Sequence, residues 1–437
     1  MKVLIVSWFF PPSNTIAAVR LGKLAKHLAG SGIDLRVLTG RNPPYAQTLP
    51  LEIDDGWIVR TSWWDVNAPP RLAMRMLARR RPASPATTPA AAPAPGAQKP
   101  SGLRSRLSHL YELLLNFPDR FVGWMPAARS AGVDLAGKWR PDIIFASGPP
   151  FTTLLVGYLI SRASGIPLVV EFRDRWSDDP YYPPPKWRRK LEAWLETRIV
   201  RHASALTTVS EPWAATFRER FAKPVVVIAN GYDEEDFKGR TGEGWPDPAV
   251  LRIVYTGGIY PGYRDPSPLF AAIARLPQPG NAVEVHFFGS DPAAVTTLAR
   301  AQGVEANVKI HSQISHAEAL DKQLSADVLL LMQWDDPREQ GNVPGKFAEY
   351  LGARRPILVL GLANGVPATV VRERSAGAAS TDPDALAEQL QSWLATKKTL
   401  GTLPPLPDSA VAGFSRASQA GKLAALFHEV LDPRPVT

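Results

Sequence analysis

Five groups of residues in this 437-residue chain have types and spacings that suit chemistry, and each follows a run rich in aliphatic residues. The first is PPSNTIAAVRLGKLAKHL, beginning at Pro11. Asn14 or Thr15 can cap the helix that follows, and the free N–H groups of its first turn can face a phosphate. Ser13 precedes them and Arg20 lies about a turn further in; the competing reading is an ordinary strand–helix turn with a surface arginine. The second group joins SGPP, from Ser147, to EFRDRW, from Glu171. Arg173, Asp174 and Trp176 put a guanidinium fork, a carboxylate and an aromatic plate together, a set that suits a sugar's hydroxyls and C–H faces. A structural Arg173–Asp174 pair pinning a loop fits the same residues.

The third group, VVVIANGYDEEDF from Val225, runs a strand into an Asn230–Gly231 turn and then a carboxylate run, read as solvated. The fourth, VYTGGIYPGYRDP from Val254, offers Gly257 and Gly258 for close backbone approach to a ligand and Arg264 to neutralise a diphosphate. The fifth, GNVPGKFAEYLGARRPILVLG from Gly341, opens a short helix at Pro344 and Gly345. Lys346 in its first turn suits phosphate, and Glu349 can accept ribose hydroxyl protons. The alternative is a Lys346–Glu349 surface pair worth about 0.2–0.5 kcal/mol.

Other chemistries lack their residues. The chain has no cysteine, so disulfides, thiolate metal sites and a cysteine nucleophile are excluded. No Gly-x-Gly-x-x-Gly follows a strand and no Walker loop occurs. A composition of 45% hydrophobic and 21% charged residues is that of a globular protein. Of the net charge of +9, eight units fall between Arg71 and Tyr111, where no acid occurs, which argues against a general nucleic-acid surface. No apolar run reaches the ~18–20 residues of a membrane span, and the apolar start of the chain, closed by Pro11 and Pro12, reads as a buried strand.

The elements that position these groups follow from periodicity. Strands are predicted at 2–7, 34–38, 142–146, 168–172, 205–209 and 225–228, then at 252–256, 283–288, 308–311, 328–332 and 356–360. Continuous Val/Ile/Leu runs joined by helices indicate two parallel sheets covered on both faces. The domains are placed at 1–238 and 250–413, with a Gly/Pro-rich linker at 239–249 and a Pro/Ala-rich flexible insertion at 82–102. Residues 414–437 form a closing helix that can pack back on the first domain; Leu423, Phe427 and Leu431 give it a core stripe.

Taken in order, the motifs resemble those of family 4 glycosyltransferases of the GT-B fold, in the branch that builds bacterial surface polysaccharides. The resemblance is carried by Pro11–Pro12, SGPP, EFRDRW, VSEPW from Val209, IANGYDEEDF from Ile228, YTGG from Tyr255 and FFGS from Phe287. VPGKFAEYLGARRPI from Val343 and FSR from Phe414 complete it, leaving only about 66–125 unmatched. It implies two doubly wound Rossmann-like α/β domains facing across a cleft. The second would hold a nucleotide diphosphate-sugar through Gly257, Gly258, Arg264, Lys346 and Glu349. Ser13, Asn14 and Thr15 would face the transferred sugar, and Arg173 and Asp174 would lie beside the reacting centre. Arg20, Trp176 and Ser147 serve the acceptor side. Transfer would go to a glycan or lipid-linked glycan with retention, helped by the leaving diphosphate, with neither metal nor cofactor required.

Two departures stand out. The family's paired glutamates lie eight residues apart, but the position eight before Glu349 is Gly341; Glu339 is the nearest substitute. Gly258 occupies the place of a common arginine, leaving Arg264 as the cation. Rival readings are a nucleotide-sugar 2-epimerase of the same fold and an inactive binding or scaffold homologue. The protein is expected in the cytoplasm, with residues 71–117 able to rest on the anionic inner face of the membrane through Arg71, Arg75 and Arg79 and the stripe Leu103, Leu107, Leu110, Leu114 and Phe117.

Overall fold

The computed structural model describes residues 1–68, 110–242, 249–260, 262–277 and 282–432. The expected insertion at 82–102, most of the basic segment at 71–117 and the linker residues 243–248 lie outside these. The chain divides into two compact units, one of Met1–Val209, Trp213–Ile228 and Lys422–Thr437, the other of Ser210–Pro212 and Ala229–Gly421.

The first unit is built on strands β1 (Lys2–Val6), β2 (Asp34–Gly40), β3 (Ile58–Thr61), β4 (Ile143–Gly148), β5 (Leu168–Phe172), β6 (Ala205–Thr208) and β7 (Val225–Val227). All pairs are parallel, in the order β3-β2-β1-β4-β5-β6-β7. Its helices are α1 (Ile16–Gly30), α2 (Met125–Lys138), α3 (Phe151–Ser164), α4 (Lys186–His202) and α5 (Glu211–Phe221), the last beginning at the unit boundary. Strand side chains are buried on both faces because helices cover both, as the continuous apolar runs require. Trp8, fully buried, anchors an aromatic cluster with Trp63, Phe121 and Trp124 at ring separations of 5.0, 4.8 and 5.4 Å. Gly40 makes room for it, since a Cβ there would stand 2.5 Å from the Trp8 ring.

The second unit has strands β8 (Leu251–Thr256), β9 (Val283–Phe288), β10 (Val308–His311), β11 (Val328–Met332), β12 (Ile357–Leu360) and β13 (Gly377–Ala379). They pair in parallel in the order β10-β9-β8-β11-β12-β13. The helices are α6 (Glu234–Phe237), α7 (Ser267–Ala274), α8 (Pro292–Ala301), α9 (His316–Ser325), α10 (Gly345–Ala353), α11 (Val366–Glu373), α12 (Pro383–Leu400) and α13 (Asp408–Val411); α14 (Arg416–Leu431) begins in this unit and belongs to the first from Lys422 on. A capping box of Ser315 and Glu318 starts α9.

Every predicted strand forms. The two that periodicity missed, β3 and β13, are edge strands of four and three residues, only partly buried, so no apolar run announces them. Asp233 departs from the solvated run expected of it: it is 3% exposed and caps α6 by accepting from the Glu235 amide. In α14, Leu423 and Phe427 are fully buried but Leu431 is 37% exposed, so the core stripe stops at Phe427. Phe427 packs edge-on to Phe145 of β4 at 5.7 Å, within the first unit. Replacing Phe427 by Ala is therefore expected to cost about 3–5 kcal/mol and to lower the thermal transition of the first unit; a calorimetric scan superimposable on the parent's would refute this anchoring.

Candidate functional site

In an open parallel sheet the crevice lies beyond the strand C-termini where the strand order reverses. In the second unit that point is between β8 and β11, and β8 runs directly into Gly257 and Gly258. Gly257 has φ +132, and a Cβ on it would stand 2.7 Å from the Lys346 ammonium, so both conformation and space call for glycine. Lys346 enters from the first turn of α10. Its Nζ donates to the Thr256 carbonyl at 2.6 Å and lies 4.1 Å from the Tyr255 ring centroid. Burial, with Arg264 close by, brings its pKa down to about 7 against the pull of Glu349. Arg264 stacks on Tyr260 at 5.2 Å and, with burial opposing it, moderates a Tyr255 hydroxyl pushed up to about 12. Neither cation makes an ion pair among the described residues. Two unneutralised cations beside a side-chain-free turn suit a polyanion that approaches the backbone.

Glu349 lies one turn beyond Lys346. Its carboxylate is not paired with Lys346, as the surface-pair reading required. It accepts instead from His316 at 3.1 Å and Gln323 at 3.3 Å, both on α9. Burial alone would raise its pKa, but His316, Gln323 and the charge of Arg416 hold it below the ordinary carboxylate value. The half-exposed carboxylate keeps acceptor capacity for a ligand's hydroxyls. Gly341 is buried, its carbonyl accepting from Ser210 Oγ at 2.7 Å, while Glu339 accepts from Asn342 Nδ2 at 2.7 Å. Beside the glycine turn, Ser290 Oγ donates to the Gly257 carbonyl at 2.6 Å. Ser290 also borders a cavity of about 430 Å³ with Gly289, Ile310, His311 and Gln313.

In the first unit the order reverses between β1 and β4; the turn after β1 carries Ser13, Asn14 and Thr15, and the last residues of β4 include Ser147. Thr15 caps α1 by accepting from the Ala18 amide at 3.1 Å. Asn14 is exposed and donates to Thr48 Oγ1 at 2.7 Å. Ser13 is buried in a bridge with Gln47, and its hydroxyl has no hydrogen-bond partner among the described residues. Arg20 is neither a surface group nor presented to a ligand. At 3% exposure it is spent on Glu171 Oε1 and the Ile228 carbonyl, each at 2.6 Å. Glu171 also accepts from Ser147 Oγ, which accepts in turn from Arg173 Nη1 at 3.1 Å. Burial would raise the Glu171 carboxyl; Arg20, Arg173 and Ser147 outweigh it and draw it below its ordinary value.

Arg173 further donates to the Pro149 carbonyl, so β4 and β5 hold it, and burial brings its pKa down to about 10. Asp174 is thereby left outside any Arg173–Asp174 loop pin. It is exposed at the end of β5, with no hydrogen bond or ion pair among the described residues. Trp176 is not an open plate for a sugar ring: it is 2% exposed and stacked flat on Phe151 at 4.5 Å. Its edge reaches a cavity of about 460 Å³ lined also by Asp119, Arg175, Asp179 and Tyr182.

Residues 17–231 match the model of the glycosyl transferase 4-like domain. The whole chain also superimposes on solved glycosyltransferase folds. Sucrose-phosphate synthase from Thermosynechococcus elongatus aligns with a TM-score of 0.61 at 14% identity, covering 99% of this chain and 100% of that one. HepE of Anabaena, solved with UDP-glucose, gives 0.56 at 13% identity, covering 98% and 100%. A glycosyltransferase of Rickettsia africae gives 0.58 at 12%, covering 99% of each. No curated protein matches the chain significantly in sequence. The chain has the GT-B fold, and its residues 17–231 are similar to a glycosyl transferase 4-like domain.

The structure adds residues that the sequence did not single out. Glu171 stood inside a quoted motif, yet nothing local marked it as the counter-charge of Arg20, 151 positions earlier. His316 and Gln323 reach Glu349 from 33 and 26 positions away, on a helix whose own pattern signals only amphipathicity.

The Lys346 pKa yields a test. A diphosphate beside the ammonium would return its pKa toward that of an ordinary lysine. Below about pH 7 the free protein already carries this proton; above it, binding must take one up, so affinity falls as pH rises. Calorimetry of a nucleoside diphosphate at pH 8, in buffers of different ionisation heat, is expected to show uptake approaching one proton. Lys346→Met should remove it, and equal uptake by that variant would exclude the lysine.

Proposed function

We propose that the enzyme moves a sugar from a nucleotide diphosphate-sugar to a glycan or lipid-linked glycan, with retention, in the assembly of a bacterial surface polysaccharide. The observation that carries this reading is the convergence of Lys346 and Arg264, neither ion-paired among the described residues, on the Gly257–Gly258 turn. In this reading the two side chains and the turn hold the diphosphate and stabilise the charge that develops on it as the leaving group. Glu349, oriented by His316 and Gln323, accepts from the ribose hydroxyls. The cavity at Gly289, Ile310 and His311 receives the base; a uridine nucleotide, the ligand of the Anabaena neighbour, is the first to try.

The first unit's groups serve the transferred sugar and the acceptor. Asn14, with Ser13 and Thr15, meets the sugar, and Asp174 orients a hydroxyl while Arg173 fixes the strand end that carries it. Arg20, Ser147 and Trp176 act through position: the first two hold Arg173 and Glu171 in register, and Trp176 supports a wall of the acceptor-side cavity. Retention requires no covalent nucleophile when the departing diphosphate takes the acceptor proton on the same face. The two side-chain cations supply positive charge at the diphosphate, so neither metal nor cofactor is required in this reading. The cytoplasm is the expected site of action, since nucleotide sugars are made there. The membrane role assigned to 71–117 rests on residues mostly outside those described. Among the described residues, no helix is long and apolar enough to span a membrane.

Nucleoside diphosphate should appear in proportion to acceptor and not without it; acceptor-independent release would favour a 2-epimerase, and no release at all a binding homologue. Asp174→Asn is close to isosteric and breaks no internal bond. It should lower turnover by about 10²-fold or more while leaving the melting temperature unchanged. Full turnover by this variant would remove Asp174 from the reaction.

A further inference from the structure

Helix α4 carries a surface that nothing in sugar transfer requires. Its buried side consists of Arg188, Leu195, Ile199 and Val200 together with both of its acids. Glu192 accepts from Arg188 at 2.6 Å, and Glu196 from Arg220 at 3.0 Å, so each carboxylate is turned inward and neutralised. What remains outward is a stripe of Trp187, Leu191 and Trp194, exposed by 46, 39 and 56% and spaced to fall along one side of the helix. Lys186, Lys190, Arg198 and Arg201 are exposed around it, and no carboxylate of the helix is exposed. Arg198 also lies over the Trp194 ring at 5.8 Å.

A second apolar surface is fastened to this one. Arg188 donates to the Leu113 and Asn116 carbonyls, tying the helical residues 110–115 to the start of α4. There Leu110, Leu114 and Leu115 are exposed by 48, 56 and 45%. Scattered single apolar residues are ordinary on a surface, but six on two joined helices, with exposed cations along α4, are a binding face. From its chemistry we infer that α4, with residues 110–115, docks the enzyme on an anionic lipid bilayer. Tryptophan favours the level of the headgroups, leucine reaches the acyl boundary, and the exposed cations of α4, which outnumber the one exposed carboxylate of 110–115, Glu112, match a negatively charged leaflet. This surface is distinct from the arginine cluster at 71–81 and stands whether or not the assignment of sugar donor holds.

Co-sedimentation of the full-length chain with vesicles tests it. The protein is expected to bind phosphatidylglycerol-containing vesicles at least tenfold more tightly than pure phosphatidylcholine, and to release as salt is raised. Two variants separate the contributions: Trp187→Ser with Leu191→Ser and Trp194→Ser, and Lys186→Glu with Lys190→Glu and Arg201→Glu. Each should weaken binding at least tenfold; the second leaves every apolar side chain in place, so it remains decisive if the first fails to fold. Parental binding by the charge variant would place docking elsewhere, and absence of parental binding to anionic vesicles would end the proposal. So would a concentration-dependent dimer that the serine variant abolishes while vesicle binding persists, because the face would then be an interface between copies.

Discussion

The Glu171 carboxylate lies out of contact with solvent, within reach of two guanidinium groups and a serine hydroxyl, and much of the first unit is arranged around it. Through Arg20 it joins α1 to β5, and the same guanidinium reaches the Ile228 carbonyl just beyond β7. Through Ser147 it fixes the end of β4, and Ser147 in turn receives Arg173. A buried charge of this kind is tolerated only when its partners are all in place, and removing one partner typically costs about 3–5 kcal/mol. The network therefore acts as a specification: the turns after β1, β4 and β5 must converge for the carboxylate to be satisfied. Asp174, next along the chain, is left outside it and faces solvent.

The second unit solves a different problem with similar means. It holds cations that form no ion pair among the described residues beside a glycine turn, which is unfavourable in the free protein. Part of that cost appears as the depressed pKa of Lys346, and the Thr256 carbonyl and the Tyr255 ring compensate for the rest. Glu349 is managed in the opposite way, kept ionised by His316 and Gln323 although burial opposes it. The carboxylate and the ammonium sit one helical turn apart and remain separately engaged, so each keeps bonding capacity for a different part of a ligand.

The outside of α4 completes the account of charge. Its two acids face the interior, where Arg188 and Arg220 answer them, and its remaining cations face outward around two tryptophans. A helix built only for packing would gain nothing from exposed tryptophan, and one built only for solubility would mix its charges.

By itself the sequence determined the two parallel sheets, because strands buried on both faces must be written as continuous apolar runs. It determined also that Gly257 and Gly258 end a strand, that Arg264 lies in the loop beyond them, and that Lys346 and Glu349 sit on the helix opened by Pro344 and Gly345, since the glycines and the helix start are local signals. Tertiary structure alone decided how those residues are partnered. Arg20 reads either as a group beside a phosphate-facing helix start or as a surface cation, and becomes the buried partner of Glu171; Trp176 reads as an open aromatic plate and is stacked on Phe151. The edge strands β3 and β13 escaped for a related reason, being too short and too exposed to carry a pattern. Burial and counter-charge are properties of neighbours in space, which the crossovers of a parallel sheet bring from far along the chain, and no local window of residues records them.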